Sequence, residues 1–256
     1  MFAPLALAGC ATAPHLDQTI AAPAAAAAPR PVSGVVSTAD PRATEAGMAI
    51  LAAGGSATDA AIAVMLALTV VEPQSSGIGG GGFYLHADPA GTVTTLDGRE
   101  TAPAAAGPDW FLDEAGNPVG FQQAVLSGLS IGVPGNIALA AEAHARHGRL
   151  PWADLFAPAI ALAQDGWSVT PRFVEFLERA RTRAAHEPDG QALYFQPDGS
   201  PVPVGTVIAN PQLADTLARI AREGPDSFYR GPIAEAMALT IASATPGEAL
   251  MTPADV

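Results

Sequence analysis

The chain has 256 residues, of which 49% are hydrophobic, so it can bury the core of one large domain or of two small ones. Its formal net charge of −13 argues against a nucleic-acid partner, because proteins that bind the phosphate backbone need a basic surface. Lysine is absent, which excludes a P-loop lysine and a Schiff-base lysine. The single cysteine excludes an intrachain disulfide and a cysteine-based metal site.

The N-terminal residues indicate export followed by a linker. Leu7-Ala8-Gly9-Cys10 ends a short apolar stretch and is similar to the lipobox of bacterial lipoproteins, where cleavage exposes the cysteine for lipid attachment. We therefore expect a lipid anchor at Cys10 and a bacterial cell-envelope location, periplasmic or membrane-anchored. A basic first region and a longer apolar core are missing, so either the true start lies upstream or the match is fortuitous. Residues 1–31 then form a partial signal and an Ala/Pro-rich linker, and residues 32–256 form the folded domain.

Two helices are predicted after a short strand at residues 35–37. Asp40 has the properties of an N-cap, with proline at the first helical position, and a pair of glycines ends this helix. Ser56 and Asp59 approximate a capping box that opens the second helix, residues 57–71. Because that helix is apolar on every face, it is predicted to be buried on all sides.

A glycine-rich run follows the second helix. The candidate pocket-lining residues are Ser75, Ser76, Gly79, Gly80, Gly81, Gly82 and, further on, Glu100. Consecutive glycines let a backbone approach another group closely, so the run either lines a pocket or makes a tight crossing beneath a sheet. A dinucleotide-binding fingerprint is disfavoured, because it should follow a strand and open a helix, whereas this run follows a helix and opens a strand. No histidine and acid partner marks Ser75 or Ser76 as a nucleophile.

The rest of the chain predicts a mixed α+β body. Two β-prone segments, residues 83–87 and 92–96, flank a turn and indicate a hairpin. From residue 136 onward the pattern is mostly helical, with a short strand around residues 202–207. His144 and His147 lie three residues apart on a predicted helix, but no third ligand accompanies them, so we expect a solvated helix face and no metal site.

Arg99 directly follows the second strand of the hairpin, where a loop can project it into a cleft. A guanidinium group suits a carboxylate, because two parallel N–H donors match two oxygens. Asp97 and Glu100 lie close in sequence, so an internal ion pair is the alternative.

Several blocks resemble the large subunit of the γ-glutamyltransferases, also called glutathione hydrolases. The most specific are residues 72–83, which contain the glycine run, and residues 97–103, which contain Arg99. Further similar blocks lie at residues 44–57, 130–135, 158–166, 210–217 and 224–231, in the same order as in the family. The resemblance extends from about residue 34 to Val256. The last residues of the chain resemble a block that lies inside the family's large subunit.

The resemblance implies an N-terminal nucleophile hydrolase with an αββα sandwich, here incomplete. In that family a precursor cuts itself, and the new N-terminal threonine of the small subunit takes a γ-glutamyl group from glutathione or another γ-glutamyl amide. The group passes to water, an amino acid or a peptide, without a metal or an organic cofactor. Arg99 corresponds to the residue that binds the α-carboxylate of the γ-glutamyl group.

The nucleophilic threonine has no counterpart in this sequence. Thr252 is followed by proline instead of the family's cleavage sequence, so no catalytic residue is assigned and the chain alone is expected to be inactive. The small subunit of the same precursor is then its expected partner. A related acylase of the cephalosporin or glutaryl type and a non-catalytic binding fragment remain as alternatives.

Overall fold

The computed structural model of the protein describes residues 34–245 and 250–256. All of these residues belong to one compact unit, Pro31–Val256. The lipidation predicted at Cys10 and the linker predicted for residues 1–31 lie outside the described residues. In the described ranges, no helix combines the length and the apolar character that a membrane span requires.

Helices dominate the described residues, and the strands form two small antiparallel sheets. The helices are α1 (Pro41–Ala52), α2 (Ala57–Val71), α3 (Phe121–Val125), α4 (Asn136–His147), α5 (Ala157–Asp165), α6 (Pro171–Arg179), α7 (Arg181–Ala184), α8 (Pro188–Tyr194), α9 (Pro211–Glu223), α10 (Asp226–Tyr229) and α11 (Pro232–Ala244). The strands are β1 (Gly82–Ala87), β2 (Val93–Gly98), β3 (Trp167–Ser168) and β4 (Val207–Ile208). This composition confirms the α+β class, and the two sheets have two strands each, as expected for an incomplete sandwich.

The first two helices begin where the sequence predicts. The Asp40 carboxylate accepts a hydrogen bond from the backbone N–H of Arg42 at 2.9 Å, and so caps α1. Ser56 and Asp59 form a complete capping box at the start of α2. The strand predicted at residues 35–37 is wrong: the side chain of Val35 is 95% exposed, and no described strand pairs with this segment.

Helix α2 forms the centre of the main core. Its side chains Leu66 and Val71 are buried, and α1, α4 and α5 pack around it. Burial on all sides is predicted, but Ala61 remains exposed, because one side of the helix borders a cavity. On the far side of α5, helix α9 contributes Leu217 and Ile220, both fully buried, to the same core.

The predicted hairpin is confirmed. Strand β1 pairs with β2 in a register that places Gly82 opposite Gly98 and Ala87 opposite Val93. Helix α4 packs against both strands. Alternate side chains of β1 point away from the core, so Phe83 and Leu85 are 65% and 67% exposed. The strand predicted around residues 202–207 is shorter and shifted, because only Val207 and Ile208 pair with β3.

Asp59 joins the start of α2 to the segment that follows α4. Its side chain is fully buried, and besides its bond to the Ser56 N–H it accepts hydrogen bonds from the backbone N–H groups of Arg149 and Leu150. Because the Asp59 side chain is enclosed, these three backbone N–H groups depend on its carboxylate as their hydrogen-bond acceptor.

Asp59→Ala is therefore expected to lower the free energy of unfolding by roughly 2–4 kcal/mol, because buried N–H groups lose their acceptor. The measurement is the midpoint of urea denaturation followed by circular dichroism. Asp215→Ala, at an exposed position of α9, is the matched control and should change stability by less than about 0.5 kcal/mol. Equal losses in the two variants would contradict the role given to Asp59.

Candidate functional site

One cavity gathers every candidate site residue that the structure describes. It has a volume of 620 Å³ and lies between α2, the glycine run, the start of β1, the residues after β2 and α4. The predicted residues that line it are Ser75, Ser76, Gly79, Gly80, Gly81, Gly82, Arg99 and Glu100. Met65 and Leu139 supply apolar walls. Cys10 lies outside the described residues.

Arg99 is held at the cavity by the strand that precedes it. The Asp97 carboxylate accepts a hydrogen bond from the Arg99 backbone N–H at 2.9 Å, which fixes the chain as it leaves β2. Arg99 Nη2 lies 3.3 Å from Glu100 Oε2, without hydrogen-bond geometry, so the internal ion pair that the sequence offered as the alternative is present only as a weak contact. The Arg99 side chain is 57% exposed, and its guanidinium donates no hydrogen bond to a described residue. Its paired donors are available to a carboxylate.

The glycine run serves both of the purposes that its sequence allowed. A Cβ atom on Gly81 would lie 2.5 Å from the Gly98 carbonyl oxygen and 2.8 Å from Arg99 Cα, so the backbone makes a tight crossing here. A Cβ on Gly135, the residue before α4, would collide with the same carbonyl. At Gly79, in contrast, an added Cβ would meet nothing within 4 Å, because this residue faces open space. The run therefore crosses beneath Arg99 at one end and borders the cavity at the other.

Asn136 is a site residue that the sequence analysis missed. Its side-chain amide donates to the Gly77 carbonyl at 2.7 Å, and the backbone N–H groups of Gly135 and Asn136 both donate to the Gly80 carbonyl. The start of α4 thus fixes the glycine run along the cavity. The sequence predicts only a helical pattern from Asn136 onward, because its partners lie about sixty residues earlier and no local pattern links the two segments.

The histidines predicted to lie on a solvated face are packed instead. His144 Nε2 lies 2.8 Å from the Leu150 carbonyl oxygen, and the His147 ring stacks on His86 with centroids 3.8 Å apart. The prediction failed because the face of α4 that carries them meets the hairpin and its own following loop. Among the described residues, no group of three or more histidine, cysteine or acidic side chains has the arrangement of a metal site.

Thr252 does not line the cavity. Its hydroxyl donates to Asp255 Oδ2 at 2.7 Å, and the other oxygen of Asp255 accepts from the Ala104 backbone N–H at 2.8 Å. The Ala104 N–H, followed by Thr252, holds the pKa of the Asp255 carboxyl below its usual value. Thr252 thus belongs to a turn that attaches the last residues to the segment after Glu100.

Gly81→Ala is expected to lower the free energy of unfolding by roughly 1–3 kcal/mol, because the added methyl group must displace the backbone at Gly98 and Arg99. Gly79→Ala is the matched control: it meets open space, and it should be neutral or slightly stabilising, since alanine restricts the unfolded chain. Thermal unfolding of the two variants measures the difference. Equal melting temperatures would contradict the tight crossing.

Known proteins are similar to this chain in both sequence and fold. The sequence model described as Gamma-glutamyltranspeptidase matches residues 43–256. The glutathione hydrolase proenzyme of Escherichia coli strain K12 is 38% identical over 209 residues, which are 82% of this chain and 36% of that protein. The chain spans about a third of the length of the curated relatives that it matches.

Two solved structures extend the comparison. Gamma-glutamyltranspeptidase from Helicobacter pylori superposes with a TM-score of 0.80 and 33% identity, over 87% of this chain and 62% of that one. A cephalosporin acylase from Bacillus halodurans superposes with a TM-score of 0.69 and 32% identity, over 83% of this chain and 39% of that one. The family match covers both the glycine run and Arg99. The chain therefore belongs to the gamma-glutamyltranspeptidase family.

Proposed function

We propose that this chain is the substrate-binding portion of the large subunit of a γ-glutamyltransferase, or glutathione hydrolase. The complete enzyme cleaves γ-glutamyl amides such as glutathione and transfers the γ-glutamyl group to water, an amino acid or a peptide. A threonine of the small subunit of the same precursor performs the attack. One observation carries the proposal: the Arg99 guanidinium lies at a cavity of 620 Å³ with its hydrogen-bond donors uncommitted to any described residue.

Each wall of the cavity has a task in this proposal. The Arg99 guanidinium binds the α-carboxylate of the γ-glutamyl group through two parallel hydrogen bonds. Glu100 lies beside it and keeps the guanidinium near the cavity through their 3.3 Å contact. Gly79 and Gly80 present bare backbone, so the acyl chain can lie close to the main chain. Ser75 and Ser76 contribute hydroxyl groups to the lining.

The exposed face of the hairpin supports an association with the small subunit. Phe83, Leu85 and Val93 are each more than half exposed and lie on the β1–β2 ribbon that carries Arg99 at its end. A two-stranded ribbon is marginally stable alone and gains from strands or a sheet packed on its apolar face. Phe83 also lines the cavity, so strands of the small subunit that pack on this face would border the cavity.

An acylase of the cephalosporin or glutaryl type is the second candidate. The superposition on the cephalosporin acylase supports it, and a guanidinium group binds a glutaryl carboxylate as readily as that of a γ-glutamyl group. The two candidates differ in the α-amino group, which only the γ-glutamyl donor carries.

Arg99→Ala in the complete precursor is expected to weaken the capture of γ-glutamyl-p-nitroanilide by roughly 2–4 kcal/mol, through a higher KM, because the substrate carboxylate loses its charged hydrogen-bond partner. Arg99→Lys should also be impaired, since a point charge cannot form the paired hydrogen bonds.

Arg146→Ala is the matched control, because Arg146 is half-exposed on α4, pairs with Glu142 and does not line the cavity. An unchanged KM for Arg99→Ala would refute the assignment of Arg99. Faster cleavage of glutaryl-p-nitroanilide than of the γ-glutamyl compound by the unaltered precursor would favour the acylase.

We further propose that the mature protein carries lipid on Cys10 and resides in the bacterial cell envelope, as a periplasmic or membrane-anchored lipoprotein. The support is the Leu7-Ala8-Gly9-Cys10 sequence and the Ala/Pro-rich stretch behind it, which suits a tether. Several acyl chains on one cysteine would hold the protein firmly to a membrane.

Mass spectrometry of the mature protein from its native host is expected to find an N-terminal, acylated Cys10. A Cys10→Ser variant should lose the acyl mass and leave the membrane fraction. An unmodified N-terminus at Met1, with the protein in the soluble fraction, would contradict lipidation.

A further inference from the structure

A second cavity lies beside the first and has no role in the proposed function. It has a volume of 260 Å³ and is bounded by the Pro73–Gln74 turn, helix α6, helix α7 and Tyr194 at the end of α8. Pro73 and Gln74 also line the first cavity, so the two spaces share part of a wall. Arg99 and the glycine run do not reach the second cavity.

The walls of the second cavity are aromatic and firmly packed. Phe173, Phe176 and Leu177 follow one another at helical spacing on α6 and present their side chains to the same space. Phe173 and Leu177 are each 2% exposed and belong to the main core. The rings of Phe173 and Tyr194 meet edge to face, with centroids 5.4 Å apart. Such walls hold their shape without a ligand and favour a flat, apolar guest.

A cation lines the same space. Arg183 of α7 contributes to the lining, and its side chain forms neither an ion pair nor a hydrogen bond with a described residue. The nearby Arg179 is paired with Glu175, one turn earlier on α6. Since an arginine without an acid partner retains its full set of donors, Arg183 can bind an anionic group that a guest brings.

Tyr194 adds a hydroxyl group to the lining. Its oxygen forms no hydrogen bond within the described residues, and it is not among the enclosed polar atoms that lack a partner, so it reaches solvent. Burial of the ring raises the pKa of the Tyr194 phenol, which therefore stays protonated and can donate at neutral pH. A guest with an oxygen acceptor next to its apolar body would satisfy both Tyr194 and Arg183.

We propose that this second cavity is a binding site for a small aromatic carboxylate. The ring of the ligand lies among Phe173, Phe176 and Tyr194, and its carboxylate binds the Arg183 guanidinium and accepts a hydrogen bond from the Tyr194 hydroxyl. A neutral aromatic ligand would leave Arg183 unused, and a small aliphatic diacid or a phosphate would leave the aromatic walls unused. The combination of the two features defines the class.

The test uses 3-phenylpropionate as the probe and the full chain as the receptor, with binding followed by saturation-transfer NMR. A dissociation constant on the order of 1 mM is expected, because a ligand of this size gains only a few tenths of a kcal/mol per heavy atom. The neutral 3-phenylpropanamide should bind several-fold more weakly, and succinate should not displace 3-phenylpropionate over the same range.

Two variants separate this cavity from the rest of the surface. Arg183→Gln should weaken the binding of 3-phenylpropionate roughly tenfold and abolish its advantage over the amide, since the charged hydrogen bond is lost. Arg179→Gln is the matched control, a neighbouring arginine that does not line the cavity, and it should bind as the unaltered chain does. Arg99→Ala should retain the preference for the acid over the amide, because Arg99 lines the first cavity and not the second.

Four results would overturn the proposal. The first is the absence of binding at ten times the expected dissociation constant, and the second is equal binding of the acid and the amide. The third is equal weakening of binding by Arg183→Gln and Arg179→Gln. The fourth is displacement of the probe by L-glutamate that no longer occurs in the Arg99→Ala variant. Comparison of acid and amide on the unaltered chain needs no variant, so the proposal remains falsifiable even where a substitution disturbs folding. None of these measurements depends on γ-glutamyl transfer.

Discussion

The close passage of three glycine backbones is the constraint on which the candidate site depends. Gly81 passes beneath Gly98, and Gly135 reaches the same carbonyl from the start of α4. A Cβ on Gly81 or Gly135 would collide with the Gly98 carbonyl, and a Cβ on Gly98 would collide with Leu139 of α4, so the three segments can approach this closely only as glycines. The crossing places Arg99, the residue after Gly98, directly over the glycine run. The position of the Arg99 backbone therefore follows from the packing of glycine backbones rather than from side-chain contacts.

Helix α4 stabilises this arrangement from one side. Its first residues donate to the Gly80 carbonyl through two backbone N–H groups, and the Asn136 side chain adds a bond to Gly77. The segment after its last turn is attached to Asp59, and thus to the buried helix α2. One helix consequently fixes the glycine run at its start and the α2 core at its end. The glycine run and α2, which both line the cavity, are therefore connected through α4.

Local signals predicted much of the fold. Asp40 and Ser56 mark helix starts because N-cap chemistry acts within three residues, and the hairpin follows from alternation around one turn. Features that depend on distant partners could not be predicted in this way. The strand expected at residues 35–37 lacks a described neighbour to pair with, and His147 of α4 is covered by a hairpin that lies far away in sequence.

The site shows the same division between local and distant information. Arg99 and the glycine run could be proposed from residue chemistry and from family resemblance. The meeting of these segments in one cavity could not, because it depends on contacts between residues far apart in the chain. Asn136 is the clearest case. Asparagine is common at the start of a helix, so the local sequence gives no reason to expect a distant hydrogen-bond partner. Its bond to Gly77 is visible only when the fold is known.

The contact between Arg99 and Glu100 bears on the proposed role of Arg99, because an acid beside an arginine competes with an incoming carboxylate for the guanidinium. A half-exposed ion pair without hydrogen-bond geometry contributes at most about 1 kcal/mol, which a substrate carboxylate can readily displace. The buried Glu72 differs, since its carboxylate is 4% exposed, bonds with Arg172 and Gln74, and joins α2 to α6. A pair of that kind would resist rearrangement. The weakness of the Arg99–Glu100 contact therefore supports the proposal that the guanidinium can exchange Glu100 for an incoming acid.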